Sequence, residues 1–178
     1  MNAALETFFT ERLDAERVNV ADLPFVREVF ADPRVTATLG GPRDAVRVEQ
    51  DLDRWDVHWR DHGFGLWILR ERASAARVGW TMLHTTDVGG VAGVEVGWTI
   101  AADHWRQGLA SEAGTVATTI GFEQLALDEL VSFTLPHNVA SRGVMENIGF
   151  VYDSDVEHVG LPHVLHRLDR ETWENARG

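Results

Sequence analysis

The chain has 178 residues, of which 44% are hydrophobic and 25% charged, so it fits a single globular domain spanning 1–178. Cysteine and lysine are both absent, which excludes disulfides, a cysteine nucleophile, a P-loop lysine and a pyridoxal Schiff base. The net charge of −12 argues against nucleic acid or an anionic membrane as a partner, and it favours cationic partners.

The first half of the chain predicts one strand and two helices before a pair of antiparallel strands. Residues 11–18 alternate as a strand, and 21–30 are typical of a short helix. From Asp44 to His62, apolar residues at i, i+4, i+7 and i+11 predict a longer helix that ends at Gly63. The two strands follow at 64–70 and 78–84.

The second half alternates strands and helices after a glycine-rich loop at 87–93. A strand at 94–100 precedes a helical pattern from Leu109 to Leu127, and an apolar strand at 130–135 comes next. A helix with Asn138 as its N-cap and two closing strands complete the chain. The expected architecture is α/β (α+β): a largely antiparallel sheet of about seven strands with one parallel pair and helices on both faces.

The stretch "WRQGLASEAG" marks the point where a strand gives way to a helix. A helix N-terminus presents free N–H groups that bind anions, and Gly108, Ala110 and Ser111 are small enough for close approach. Arg106 adds a positive charge. By itself the stretch is compatible either with a phosphate-binding turn or with a plain helix start.

Two further positions combine polar side chains with the ends of predicted strands. Glu95 shares a strand face with Gly97 and Thr99, so it is either a solvent-facing carboxylate or a general base beside a ligand. Gly97 permits a β-bulge that would free backbone N–H groups. Asn138 and Ser141 follow the next strand, where they either cap a helix or open onto a ligand crevice.

The motifs E-x-G-W, W-x-x-G-x-A-S-E-A, N-x-x-S and GF occur in this order between residues 95 and 150. Together they resemble the core of the GNAT superfamily of acyl-CoA N-acyltransferases, and in particular the ribosomal-protein N-terminal alanine and serine acetyltransferases. The resemblance covers nearly the whole chain. It implies transfer of an acetyl group from acetyl-CoA to a primary amine, by direct attack in a ternary complex.

The resemblance also implies roles for individual residues. Backbone amides of the turn bind the pyrophosphate of acetyl-CoA in the family, and the preceding strand pairs with the pantetheine arm. Glu95 matches the proposed general base, and Ser141 lies near the thiol. The implied cofactor-binding residues are Trp98, Thr99, Ile100, Arg106, Gln107, Gly108, Leu109, Ala110, Ser111, Asn138 and Ser141.

The chain departs from the family pattern at two places. Trp105 stands where many members have Gln or Arg at the start of the turn, and Met145 replaces a tyrosine that serves as general acid. Methionine is no proton donor, so Ser141 or water is left to protonate the leaving sulfur. A non-catalytic acyl-CoA-binding sensor or partner module is the alternative function.

Pairs of histidines raise the question of a metal site. His58 and His62 are four residues apart, and His163 and His166 are three apart. The motif around the first pair lacks the glutamate neighbour of a zinc protease, so no metal is expected. The acceptor is expected to be a cationic amine, the family suggests a homodimer, and the lack of a secretion signal suggests a cytoplasmic location.

Overall fold

The computed structural model describes residues 5–177, which form one open sheet flanked by helices. The strands are β1 (Thr7–Phe9), β2 (Leu13–Arg17), β3 (Leu66–Glu71), β4 (Arg77–Val88), β5 (Val91–Ile100), β6 (Glu129–Thr134), β7 (Val151–His158) and β8 (Leu161–Asp169). The helices are α1 (Leu23–Ala31), α2 (Pro33–Thr36), α3 (Ala45–His62), α4 (Leu109–Thr119), α5 (Val139–Ile148) and α6 (Arg170–Asn175). None of these helices is long and apolar enough to span a bilayer.

The sheet confirms the predicted mixed, mostly antiparallel architecture. Its strand order is β1-β2-β3-β4-β5-β6-β8-β7, and β5 and β6 are the parallel pair. The connection between them runs through α4, as a parallel pair requires. The sheet has eight strands because the short edge strand β1 pairs with β2, an element too short for the sequence pattern to reveal.

The segment predicted as a glycine-rich loop at 87–93 is instead a tight hairpin. Strand β4 continues to Val88 and β5 begins at Val91, so only Gly89 and Gly90 connect them. Both glycines have positive φ, at 60° and 80°. Two residues with positive φ in succession favour a two-residue turn whose twist matches that of the strands. The pairing of β4 with β5 therefore continues up to the turn.

The long helix α3 has the ends that the sequence predicted. The side chain of Asp44 accepts a hydrogen bond from the backbone N–H of Arg47 at 2.7 Å, and Gly63 ends the helix in the left-handed conformation. Helix α4 is shorter than its apolar pattern suggested. It ends at Thr119, and a π-helical turn over Ile120–Gln124 follows.

The two faces of β5 pack against different helices. Trp98 points toward α4, where a Cβ added to Gly114 would lie 3.2 Å from its ring. The next residue, Thr99, pairs across the sheet with Trp80, whose ring packs 6.0 Å from that of Trp55 on α3. The face that carries Glu95 is therefore the one covered by α3.

Candidate active site

Strands β5 and β6 separate almost as soon as they meet. Their single register pair is Glu95 opposite Val131, and the hydroxyl of Ser132 donates to the carbonyl of Val96 at 2.8 Å just beyond it. Past this contact opens a cleft of about 490 Å³, which is lined by residues of β5 and β6 and by side chains of β4 and α3. An opening at the carboxyl ends of parallel strands is where α/β sheets bind their ligands.

The cleft gathers part of the predicted site. Its walls include Glu95, Trp98, Thr99, Asn138 and Ser141. Ile100 and the turn at 106–111 lie outside these walls. The structure thus brings the proposed base, part of the strand edge and the start of α5 into one space.

Alternate residues of β5 direct their backbone groups toward the opening. The carbonyl of Val96 accepts from Ser132, and that of Ile100 accepts a 2.7 Å hydrogen bond from the indole N–H of Trp105. Trp98 lies between them in the two-residue repeat, so its N–H and C=O face the same side. An extended ligand could pair with these groups as an added strand would.

Gly97 does not form the bulge that the sequence permitted. The pairing of β4 with β5 runs without a shift from Gly79 opposite Ile100 to Val88 opposite Val91. The free backbone groups of β5 therefore result from its separation from β6. The presence of glycine at position 97 has a steric explanation instead. A Cβ there would lie 2.7 Å from Cε of Met82 and 3.2 Å from Oε1 of Glu95.

Glu95 lies in the cleft wall with little exposure to solvent. Its cross-strand neighbour on β4 is His84, which lines the same cleft. Burial disfavours the charged carboxylate and raises the pKa of Glu95 to about 8. A carboxyl group with such a pKa exchanges protons near neutral pH, which is the property of a general base.

The turn before α4 combines two left-handed residues with an open helix start. Arg106 has φ 60° and Gly108 has φ 78°. Gly108 is the N-cap residue, and no side chain among the described residues bonds to the first N–H groups of α4. The first turn of a helix leaves such N–H groups without intrahelical partners, and they favour an anion.

Arg12 reaches this turn from the start of β2, a contact that sequence analysis missed. Its Nη1 donates to the carbonyl of Gln107 at 2.8 Å, and its Nε donates to Oε2 of Glu112 at 2.6 Å. Thr10 also donates to Glu112. Partial burial raises the pKa of Glu112, but the hydrogen bonds from Thr10 and Arg12 outweigh it and the pKa is lowered. This network holds the turn by the carbonyl of Gln107 and leaves the first N–H groups of α4 available to a ligand.

Asn138 connects the end of β6 to the start of α5. Its Oδ1 accepts from the backbone N–H of Ser141 at 3.2 Å, and its Nδ2 donates to Oγ1 of Thr134 at 2.9 Å. The N-cap predicted from sequence is therefore present. It does not exclude a ligand, because Asn138 and Ser141 both line the cleft.

Neither Met145, which replaces the tyrosine of the family, nor Tyr152, the tyrosine of this chain, lines the cleft. Met145 is 1% exposed and belongs to the main core. Tyr152 lies on β7, is half exposed, and donates to Oδ1 of Asp155 at 3.2 Å. Ser141 is thus the hydroxyl-bearing side chain of α5 that faces the cleft.

The histidines predicted as a possible metal pair form a stacked group. The ring of His58 lies 4.1 Å from that of His84 and 4.4 Å from that of His62. Nδ1 of His58 donates to the carbonyl of Phe64 at 2.9 Å, and Nε2 accepts from the N–H of Thr85 at 3.0 Å. Both nitrogens are occupied, and no group of three metal-binding side chains occurs within residues 5–177.

Trp55 and Trp59, two apolar residues of α3, have different environments. Trp59 is buried and donates to the carbonyl of Leu66 at 2.9 Å. Trp55 lines the cleft together with Trp80. The long helix therefore contributes one aromatic side chain, Trp55, to the cleft, on the face of β5 that carries Glu95.

Comparisons with known proteins agree with this geometry. Residues 12–151 match the family model of the acetyltransferase (GNAT) domain. An FsC-acetyl coenzyme A-N(2)-transacetylase of Aspergillus fumigatus is 26% identical over an alignment that covers 96% of this chain and 79% of the relative.

Solved structures extend the similarity. An acetyltransferase from Agrobacterium tumefaciens has a TM-score of 0.83 and 26% identity, and the match covers 96% of this chain and 98% of that one. A ribosomal L7/L12 alpha-N-protein acetyltransferase in complex with coenzyme A has a TM-score of 0.76 at 12% identity, covering 94% of this chain and 99% of the other. At that identity the likeness concerns the fold alone.

Proposed function

The chain belongs to the GNAT acetyltransferase family, and on that premise we propose that it transfers an acetyl group from acetyl-CoA to a primary amine. The acceptor is a protein N-terminus or a small-molecule amine. The observation that carries the proposal is the cleft in which Glu95, with its pKa raised to about 8, faces the free edge of β5 and the start of α5.

The residues around the cleft are suited to hold the cosubstrate in an extended form. We assign the pyrophosphate to the N–H groups of Arg106 to Ser111, because that turn begins a helix without a side-chain cap. We assign the pantetheine arm to the backbone of Trp98, Thr99 and Ile100. Asn138 and Ser141 then lie beside its thiol end. The cosubstrate supplies the activated acetyl group, as a thioester.

Glu95 acts as the base in this proposal. An amine is protonated in water, with a pKa of about 8 for an α-amine and about 10 for an alkylamine. Glu95 accepts that proton, directly or through one water, and the neutral nitrogen attacks the thioester carbon. Because the chain contains no cysteine, no thioester to a cysteine side chain precedes this step.

Ser141 and the backbone of β5 serve the other half of the reaction. The N–H of Trp98 faces the opening and can donate to the acetyl oxygen as negative charge develops on it. The carbon–sulfur bond then breaks, and the sulfur leaves with a proton from Ser141 or from water. A thiol has a pKa near 8.5, so its thiolate leaves with modest assistance.

The acceptor and setting are further parts of the proposal. The net charge of −12 favours an amine that arrives as a cation, and it supports the expectation that neither nucleic acid nor membrane is a partner. The absence of cysteine is compatible with a cytoplasmic location, and a homodimer is the assembly we expect.

Two measurements test the function. Thermal unfolding with acetyl-CoA should show stabilisation, and a failure to stabilise would contradict the cosubstrate assignment. Thiol release with acetyl-CoA and a panel of amines and peptide N-termini should then reveal turnover. If acetyl-CoA binds but no amine is acetylated, the alternative function, an acyl-CoA-binding sensor, replaces the enzyme.

A further inference from the structure

Three arginines converge on one buried carboxylate in the wall of the cleft. Asp51, on α3, is only 2% exposed. Arg43 Nη1 bonds to its Oδ2, Arg54 Nη2 bonds to its Oδ1, and Arg47 Nε lies 3.5 Å from the same Oδ1. Arg43, Asp51 and Arg54 line the cleft that also contains Glu95.

This cluster carries more positive charge than its carboxylate balances. Within residues 5–177, Asp51 is the carboxylate in ion-pair contact with these arginines, so three guanidinium groups face one negative charge. Burial and the charge of Arg47 lower the pKa of Arg43. An unbalanced, partly buried cation favours the arrival of an anion, and it stands out in a chain whose net charge is −12.

The surroundings of Arg43 hold its guanidinium at the cleft surface. The group lies over the ring of Phe30, 4.2 Å from the ring centroid, and 28% of the side chain is exposed. A guanidinium has five N–H donors, and the bond to Asp51 uses one of those on Arg43. The remaining donors form the planar fork that suits a second carboxylate.

We propose that the acceptor amine also carries a carboxylate, which Arg43 and Arg54 bind while the amine faces Glu95. This rests on the proposed function and narrows its substrate class to amino acids and peptides with a carboxylate near the amine. Trp55 and Trp80 line the same cleft, so an acceptor with an apolar or aromatic side chain suits it. The ammonium group of such an acceptor is attracted by the negative charge of the protein, and its carboxylate binds Arg43 and Arg54.

A paired acceptor panel tests the proposal. Thiol release is measured for apolar and aromatic L-amino acids, each beside its amide, with rates corrected for the fraction of free amine. The wild-type kcat/KM should be about 10- to 100-fold higher for the acids, as charge-assisted hydrogen bonds imply. Arg43→Gln and Arg54→Gln should each lower kcat/KM for the acids more than for the amides, so that the preference for the acid shrinks.

Two further variants test whether the preference depends on the planar guanidinium group of Arg43, on its charge alone, or on the loss of any arginine. Arg43→Lys keeps the charge without the fork, and should recover only part of the preference. Arg60→Gln removes one charge from an exposed position on α3, the helix that carries Asp51 and Arg54. Arg60 pairs with Asp56, so this variant should retain the full preference. Thermal unfolding of each variant verifies that it is folded.

The outcomes distinguish this proposal from the function on which it rests. Equal rates for acids and amides, or an equal loss for both in Arg43→Gln, would overturn it. If acetyl-CoA binds but nothing is acetylated, the enzyme proposal fails. Calorimetric titration of the CoA-bound protein with N-acetylamino acids and their amides then tests whether Arg43 and Arg54 bind a carboxylate. Binding of the acid but not of its amide, lost in Arg43→Gln, supports the site; any other binding result overturns it.

Discussion

Gly97 keeps open the space beside the carboxylate of Glu95. A Cβ at position 97 would lie 3.2 Å from Oε1 of Glu95 and 2.7 Å from Cε of Met82, so any larger residue would displace one of them. The glycine and the carboxylate occupy the same face of β5, and both Glu95 and Met82 line the cleft. This relationship connects the backbone of the strand to the proposed chemistry.

The pH profile of activity should report the pKa of Glu95. Below a pH of about 8 the carboxyl group is protonated and cannot act as a base. For an acceptor whose amine is unprotonated throughout, kcat/KM should fall about tenfold per pH unit below that value. Glu95→Gln should lower the plateau by about 10²- to 10⁴-fold and remove this limb. An unchanged profile in the variant would refute the role of Glu95.

The same substitution should stabilise the protein at alkaline pH. Folding raises the pKa of Glu95 from 4.5 to about 8, so between these values the folded state binds more protons than the unfolded state. The free energy of unfolding therefore falls as the pH rises through this window. Glutamine does not titrate, so Glu95→Gln lacks this pH-dependent loss of stability. The Tm of the variant minus that of the wild type should therefore increase from pH 5 to pH 9. A constant difference in Tm would contradict the raised pKa.

Arg12→Gln should weaken acetyl-CoA binding without slowing the bound enzyme. The change removes the 2.8 Å bond to Gln107 O and the ion pair with Glu112, which together orient the turn. We expect the Kd for acetyl-CoA to rise about tenfold, with kcat at saturation unchanged. Arg27→Gln is the matched control, because the Arg27 side chain is 43% exposed, against 45% for Arg12, and pairs with Glu49. Similar affinities in the two variants would exclude a role for Arg12.

Gly108→Ala separates backbone strain from loss of the binding turn. A Cβ at Gly108 has room, since its nearest neighbour is Arg12 Nη2 at 3.5 Å, but the φ of 78° is strained for alanine. We expect a loss of about 1–2 kcal/mol in stability together with weaker binding of acetyl-CoA. Gly63→Ala, at φ 76° with open space, should lose similar stability and bind normally. Calorimetric titration and urea unfolding of both variants provide the comparison.

The stacked histidines should make the fold sensitive to acid. Burial first, and then the charge of His84, lower the pKa of His58 from 6.5 to about 4. The unfolded state thus binds the extra proton between these values, and the free energy of unfolding falls as the pH drops through them. His58→Gln loses hydrogen bonds at every pH, but its deficit should shrink from pH 7.5 to pH 4.5. Urea unfolding across that range measures it, and a constant deficit would contradict the lowered pKa.

Local sequence signals predicted most of the strands, both ends of α3 and the start of α5. Asp44 and Gly63 bound α3 and Asn138 begins α5, because caps depend on residues within one turn of the helix. The four motifs between residues 95 and 150 gave the family resemblance, and the strand–helix–strand order at 94–135 gave the parallel pair. The hairpin at 89–90 was misjudged as a loop because glycine signals a turn without fixing its length.

The tertiary structure decided what lies around those elements. Arg12 contacts the turn across 95 residues of sequence, and the early parting of β5 from β6 exposes the backbone of Trp98. Arg54 and Asp51 share the cleft with Glu95 because α3 packs on the face of β5 that carries Glu95. Such contacts depend on sheet order and on which face each helix covers. Sequence alone thus determined the family and the positions of its motifs, while packing between distant segments decided which side chains share the cleft.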